Sequence, residues 1–279
     1  MYKALAPGCI GHNPPLEEAA AIAQKYGFHS ISVDIPRETA LRSAVETKAI
    51  LDRHGLLAEG GGLPVQCLAE EPVFYAGLAK LEAHCRYAQG IGMTYFLTWI
   101  SPGSDLLTYG ESFRLYSDRL ARCAEVLRAH DLDLAVEFVG TPSARAPRTH
   151  PFVYNLDGLL ELFGDIGAPN LGLLLDIWHW EMAGHTMADL ARIPSGDFIK
   201  LVHINDAPAN TPLEAQQDGL RRMPGATGVL HIAAFFEGIQ RLGYQGGVLA
   251  EPFESRLASL SFEEAVLETR RAIDAVWPG

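Results

Sequence analysis

Four residues in the second half of the chain each stand at the end of a short apolar run: Ala-Val-Glu137, Leu-Leu-Leu-Asp176, Leu-Val-His203 and Leu-Ala-Glu251. A charged or polar group directly after a buried apolar segment costs free energy unless it is paired, hydrogen-bonded or bound to a metal. Three carboxylates with one imidazole suit one divalent metal ion, Mn²⁺, Mg²⁺, Co²⁺ or Zn²⁺, and the lack of thiolate ligands argues against a purely structural zinc. Such an ion can hold vicinal oxygens of a neutral substrate and polarise a carbonyl. Any one of the four could instead cap a helix or accept backbone hydrogen bonds. Their repetition at successive strand ends is what points to a shared centre.

Other residues sit close enough in sequence to assist. His179, in Asp-Ile-Trp-His, lies one turn beyond Asp176, where it could point back over the metal to a substrate oxygen; the competing reading is a histidine stacked between Trp178 and Trp180. Arg221, in Asp-Gly-Leu-Arg-Arg-Met-Pro-Gly, could reach across to a substrate hydroxyl, or be a solvated loop arginine. Asp206 could orient His203 or a neighbouring loop, or simply start a turn before Ala-Pro. His12, Asp34, Glu59 and Trp99 close earlier apolar runs and read as structural or pocket-lining residues.

These residues need a scaffold that brings several strand ends to one point. Short apolar runs alternate with longer amphipathic segments along the whole chain, the pattern of parallel strands covered by helices. Strands are expected at Tyr2–Ala6, Ser30–Val33, Leu56–Glu59, Tyr95–Thr98, Leu132–Phe138, Leu171–Asp176, Phe198–Asn205 and Gly247–Glu251. They recur about every 30 residues, the size of a βα unit. Eight such units predict an α/β fold, a (β/α)8 TIM barrel formed by residues 1–279 as a single domain, with an open doubly wound sheet as the lesser alternative. Because side chains alternate along a strand, Ala135 with Glu137, Leu174 with Asp176, Leu201 with His203 and Leu249 with Glu251 should share the barrel-facing side.

Helices are expected at Leu16–Tyr26, Glu111–His130 and Ile232–Leu242, with Gly27 and Gly243 as C-terminal caps, and Ser261 with Glu264 as a capping box for the last helix. Gly60–Pro72 and Ala207–Gly228 read as long loops after the third and seventh strands, on the face where barrel active sites lie. No Gly-x-Gly-x-x-Gly follows a strand, so a Rossmann dinucleotide site has no support.

Composition removes several functional classes. With 22 basic and 34 acidic residues the net charge is −12, so the long-range field disfavours nucleic acid or an anionic membrane as partner. Cys9, Cys67, Cys85 and Cys123 form no CxxC pair and suggest reduced thiols. No run approaches the roughly 20 apolar residues of a membrane span, nor does the N-terminus resemble a signal peptide, so the expectation is a soluble cytoplasmic protein. The sequence leaves a homo-oligomer open.

Five segments together resemble one known group: Val-Glu-Phe-Val-Gly-Thr-Pro (136–142), Leu-Gly-Leu-Leu-Leu-Asp-Ile-Trp-His (171–179), Val-His-Ile-Asn-Asp (202–206), Asp-Gly-Leu-Arg-Arg-Met-Pro-Gly (218–225) and Ala-Glu-Pro-Phe (250–253). The chain is similar to the xylose-isomerase-like barrels of sugar isomerases and epimerases, and within them most to the inosose (2-keto-myo-inositol) isomerases. The likeness is carried by Leu132 onward; the first half shares only the βα rhythm. It implies that Glu137, Asp176, His203 and Glu251 are metal ligands, that His179 and Arg221 contact a small ketose or inosose, and that Glu137 and Glu251 move protons. The implied reaction is isomerisation or epimerisation through a metal-bound cis-enediolate. An inosose dehydratase-type lyase begins with the same proton abstraction. An apurinic-site endonuclease shares the barrel but needs three metals and histidines that this chain lacks. A sugar-binding barrel without catalysis is a third alternative.

Overall fold

The computed structural model describes residues 1–279 and places the strands at β1 (Tyr2–Leu5), β2 (Ser30–Ser32), β3 (in two pieces, Leu57–Glu59 and Gly61–Gly62), β4 (Tyr95–Ile100), β5 (Asp133–Phe138), β6 (Leu171–Asp176), β7 (Ile199–Ile204) and β8 (Gly247–Ala250). Starting from the first piece of β3, the order in space is β2, β1, β8, β7, β6, β5, β4 and then the second piece of β3. Every pairing is parallel. The two ends of this sheet are separated in the chain only by Gly60, so the barrel closes within β3. Glycine is needed there: a Cβ on Gly60 would come 2.0 Å from the Tyr95 ring, and one on Gly61 would come 2.4 Å from the Val33 carbonyl oxygen. The expected (β/α)8 barrel is the observed fold.

Alternation along the strands sorts the core into two parts. Outward residues such as Val136, Leu173, Leu175, Val202 and Val248 join the large apolar core beneath the helices. Ala4, Ala6, Tyr95, Ala135, Leu174, Leu201 and Leu249 form a separate cluster inside the barrel. Burying each of these leucines contributes roughly 1.5–3 kcal/mol. Glu137, Asp176, His203 and Glu251 each lie two residues beyond a member of that inner cluster. They therefore face the same interior, at the C-terminal ends of their strands.

The N-terminal end of the interior is filled by polar groups that satisfy one another. Glu59 is buried, and its carboxylate accepts hydrogen bonds from Ser30 Oγ at 2.7 Å and from Tyr95 Oη. It reaches to where a Cβ of Gly247, the first residue of β8, would stand only 2.2 Å away. Glu59 is thus a structural residue pointing away from the strand ends. Lys200 and Asp133 form an ion pair of 2.7 Å at the starts of their strands.

The helices begin and end where local chemistry dictates. The last one, Phe262–Val276, starts at the Ser261/Glu264 capping box. The helix expected from Glu111 starts earlier, at Tyr109, because Thr108 is its N-cap and Glu111 returns the bond to the Thr108 amide. Gly27 and Gly243 adopt φ of +70° and +83°, as left-handed helix terminators do. A small antiparallel ribbon, Gly103–Ser104 with His150–Pro151, ties the loop after β4 to the loop after β5. No helix is long and apolar enough to cross a membrane.

Candidate metal centre

The four strand-end residues converge. One ligand atom from each of Glu137, Asp176, His203 and Glu251 lies within 4.8 Å of all the others. His203 Nδ1 sits 3.2 Å from Glu251 Oε2, 3.8 Å from Glu137 Oε1 and 3.9 Å from Asp176 Oδ2. Adjacent strands in parallel register supply the middle pair, since His203 stands beside Asp176.

The donor set fits a divalent cation, and the hydrogen bonding says where. His203 Nδ1 and Glu137 Oε1 are buried without a hydrogen-bond partner, an expensive condition for groups of this polarity. Asp176 Oδ1 is taken by the Trp178 amide at 2.8 Å and by Asn205 Nδ2 at 3.0 Å. Glu251 Oε1 accepts from Cys9 Sγ at 3.5 Å. Asp176 and Glu251 thus each have one oxygen fixed from outside and the other turned toward His203. This is how outer contacts orient metal ligands.

Burial and crowding displace the acidities of these groups. Burial, then the charge of Glu251, pushes the Glu137 carboxyl well above the usual carboxylate range. Burial also pushes Glu251 up, but His203 and Arg221 beside it outweigh that and hold it well below the usual range. For His203, burial opposes the charged form, yet the three carboxylates prevail and raise it to about 9. These directions describe the metal-free protein, and they set its stability against pH. A raised His203 stabilises the fold fully below the unfolded value of about 6.5 and loses that contribution as pH rises through about 9. Glu137 has the same sign. Metal-free protein should therefore lose thermal stability between pH 7 and 9.5, and divalent-metal binding should release protons and tighten over the same interval. Calorimetric melting with and without Mn²⁺ across that range checks both.

Arg221 and His179 complete the cluster. Arg221 is buried rather than solvated: its Nη1 donates to Asp176 Oδ2 at 2.7 Å and to Glu251 Oε2 at 2.8 Å. Its Nη2 donates to His179 Nε2 at 2.9 Å and to Asp218 Oδ1 at 3.1 Å. Burial, then Arg221, lowers His179 to about 3, so it is neutral. Its Nδ1 faces two groups, the Gly140 amide nitrogen at 3.3 Å and Thr141 Oγ1 at 3.4 Å. Thr141 Oγ1 in turn donates to Asp218 Oδ1 and accepts from Trp178 Nε1, both at 2.8 Å. His179 Nε2 is 4.0 Å from Glu137 Oε2, beside the cluster as its spacing suggested.

Gly140 sets how close the His179 segment can come. A Cβ there would stand 2.1 Å from the His179 carbonyl oxygen and 2.8 Å from the Ala183 amide nitrogen, both backbone atoms. Gly140→Ala should displace the helix Ile177–Met182 and cost about 1–3 kcal/mol, as overpacking does. Denaturant unfolding measures it.

Asp206 orients the neighbouring loop rather than His203. Its carboxylate accepts from the amides of Ala207, Thr227, Gly228, Val229 and Leu230, fastening the far end of the loop that carries Arg221. Asp34 caps the helix Ile35–Leu41, and His12 Nε2 bonds the Leu257 carbonyl at 2.9 Å. Trp99 is 56% exposed at the end of β4. A cavity of about 630 Å³ opens beside His203 and Glu251 and extends over Cys9, His12, Arg37 and Gly60–Gly62, so the first half of the chain supplies its wall. Thr141, Asp218, Asn205 and Cys9 are the participants that sequence reasoning passed over. Thr141, Asn205 and Asp218 lay within recognised motifs, whereas Cys9 carried no signal.

The comparison with known families agrees with the fold. The model of the xylose isomerase-like TIM barrel family matches residues 20–276. The chain belongs to that family. Among curated proteins it is similar to the inosose isomerase of Halalkalibacterium halodurans, 26% identical over 147 residues, which are 53% of this chain and 49% of that protein. It is also similar to the inosose isomerase of Bacillus subtilis, 25% identical over 160 residues, 57% and 54% of the two chains. The matched stretch thus spans about half the length of these relatives. A xylose isomerase domain protein from Alicyclobacillus acidocaldarius superposes with a TM-score of 0.88 at 27% identity, covering 99% of this chain and 98% of its own. Two structures share the fold at lower identity. The IOLI protein with a bound zinc atom has a TM-score of 0.83, 19% identity and coverage of 99% and 98%. D-psicose 3-epimerase has a TM-score of 0.77, 14% identity and coverage of 99% and 98%.

Proposed function

We propose that this protein is a divalent-metal-dependent isomerase or epimerase of a small ketose or inosose, with Glu137, Asp176, His203 and Glu251 as metal ligands and the two glutamates as proton carriers. The observation that carries this reading is the convergence of those four donors within 4.8 Å, two of them unpartnered, beside a cavity. The relatives named inosose isomerase and the fold shared with D-psicose 3-epimerase support the substrate class. A bound divalent cation supplies Lewis-acid polarisation of a carbonyl and neutralises negative charge developing on substrate oxygens. Nothing in the donor set prefers one of Mn²⁺, Mg²⁺, Co²⁺ and Zn²⁺ decisively.

The chain's own groups perform the proton transfers. Glu137 stands on β5 and Glu251 directly after β8, flanking Asp176 and His203 on the two strands between them. One glutamate removes the proton from the carbon next to the substrate carbonyl; the same or the opposite one returns it to the neighbouring carbon or to the other face. His179 and Arg221 hold substrate oxygens. Asp218 and Thr141 keep that pair oriented through the bonds described above.

The same first step could lead to loss of water, which needs an acid beside the leaving hydroxyl. His179 is a poor candidate for it, being neutral with Nε2 facing an arginine donor. Incubation of metal-loaded protein with inososes and ketohexoses tests the choice. The expected product has unchanged mass and a new stereocentre or carbonyl position. A product lighter by one water with new ultraviolet absorption would replace this reading with the lyase. Metal and sugar binding with no conversion would replace it with a binding protein.

A further inference from the structure

Arg221 is the unusual member of the cluster. It comes from the long loop between β7 and the helix Ile232–Arg241, yet its side chain is 1% exposed and lies on the atoms a metal would need. Its Nη1 bonds Asp176 Oδ2 and Glu251 Oε2 at 2.7 and 2.8 Å. Those are the oxygens turned toward His203 Nδ1; Asp176 Oδ1 and Glu251 Oε1 are already engaged by Trp178, Asn205 and Cys9. A buried cation sharing two ligand oxygens competes for their lone pairs and repels a second cation arriving beside it.

Charge counting leads to the same place. Glu137, Asp176 and Glu251, when ionised, carry three negative charges, and Arg221 carries one positive charge. A divalent ion, with His203 neutral, brings these four groups to zero, and Asp218, which also accepts from Arg221, leaves the wider cluster with one negative charge. The guanidinium also has contacts it can keep if it leaves those two oxygens: Asp218 Oδ1 at 3.1 Å, and the rings of Phe253 and Trp178 at 4.7 and 5.3 Å.

We infer that Arg221 is a built-in counter-ion of the metal site, holding the ligand carboxylates together in the metal-free protein and setting the affinity for the divalent ion, which binds as the guanidinium gives up Asp176 and Glu251. The inference rests on the metal-site reading above but on no catalytic activity.

The test compares full-length wild type, Arg221→Met and Arg221→Lys by calorimetric titration with Mn²⁺ and by thermal melting with chelator or Mn²⁺. Arg221→Met should bind Mn²⁺ at least about tenfold more tightly, since a neighbouring positive charge and a competitor are removed. Its metal-free melting temperature should fall by about 5–10 °C, because the carboxylates lose their partner, and Mn²⁺ should restore a larger share of stability than in wild type. Arg221→Lys keeps the charge and should stay within about threefold of wild-type affinity. If Arg221→Met folds only with metal present, it can be purified loaded, and competition with a chelator gives the same ratio. Mn²⁺ binding to wild type with equal or weaker binding to Arg221→Met would overturn the counter-ion role alone. Absence of Mn²⁺ binding by wild type and variants would overturn it together with the metal-site reading.

Discussion

Glu251→Gln should lower turnover of a ketose or inosose by about 10²–10⁴-fold, the contribution usual for a positioned proton-transfer group. The substitution keeps the size of the side chain and one carbonyl oxygen, so the barrel should fold normally. The amide has no basicity, so it cannot take a proton from carbon. The wild-type carboxylate is held ionised by His203 and Arg221, which outweigh the cost of its burial, and its Oε1 is fixed by Cys9. Because the charge removed is also one of the cluster's negative ligands, part of the loss should appear as weaker metal binding. Turnover measured at saturating metal separates the two effects. Retention of more than about a tenth of wild-type turnover under those conditions would exclude Glu251 as a proton carrier.

The second large effect is expected at His203, the group that all three carboxylates face. His203→Ala removes the sole nitrogen ligand and leaves Glu137, Asp176 and Glu251 crowded around a space with Arg221 as their remaining cation. Mn²⁺ affinity should drop by at least about 100-fold, or roughly 2.8 kcal/mol of binding free energy. Metal-free stability should also fall by about 3–5 kcal/mol below pH 8, where the histidine is charged, because a buried ionic network loses one partner. Above pH 9 the stability difference between the two proteins should shrink, since wild-type His203 is then neutral as well. Titration calorimetry and denaturant unfolding at pH 7 and 9.5 measure the two quantities. Unchanged Mn²⁺ affinity would remove His203 from the ligand set.

The sequence was most legible where strand periodicity determines direction. Leu174 and Asp176, or Leu249 and Glu251, must point to one side of a strand, and a closed barrel leaves a single interior for all four such pairs. Fold and ligand cluster were therefore readable together. What escaped depends on contacts between residues far apart in the chain. Arg221 reads as a candidate for substrate contact, but its bonds to Asp176 and Glu251 depend on the loop being fastened by the five amides on Asp206 and the side chain turned inward. Glu59 ends an apolar run much as Glu137 does. It points the other way because Ser30, Tyr95 and the open position at Gly247 accommodate it at the barrel floor. The break in β3 at Gly60 follows from the approach of Tyr95, which no local pattern encodes. Cys9 reaches Glu251 across 242 positions of sequence.

If this cluster, loaded with a divalent ion, moves a proton on and off a carbon beside a carbonyl, solvent hydrogen must enter the substrate at that carbon. Incubation of Mn²⁺-loaded protein in deuterium oxide with a panel of inososes and ketohexoses, followed by nuclear magnetic resonance and mass analysis, tests it most directly. Solvent deuterium should enter the carbon adjacent to the carbonyl of at least one compound, and chelator or Glu251→Gln should abolish that incorporation. Absence of exchange into every compound by protein that demonstrably binds Mn²⁺ and sugar would contradict it.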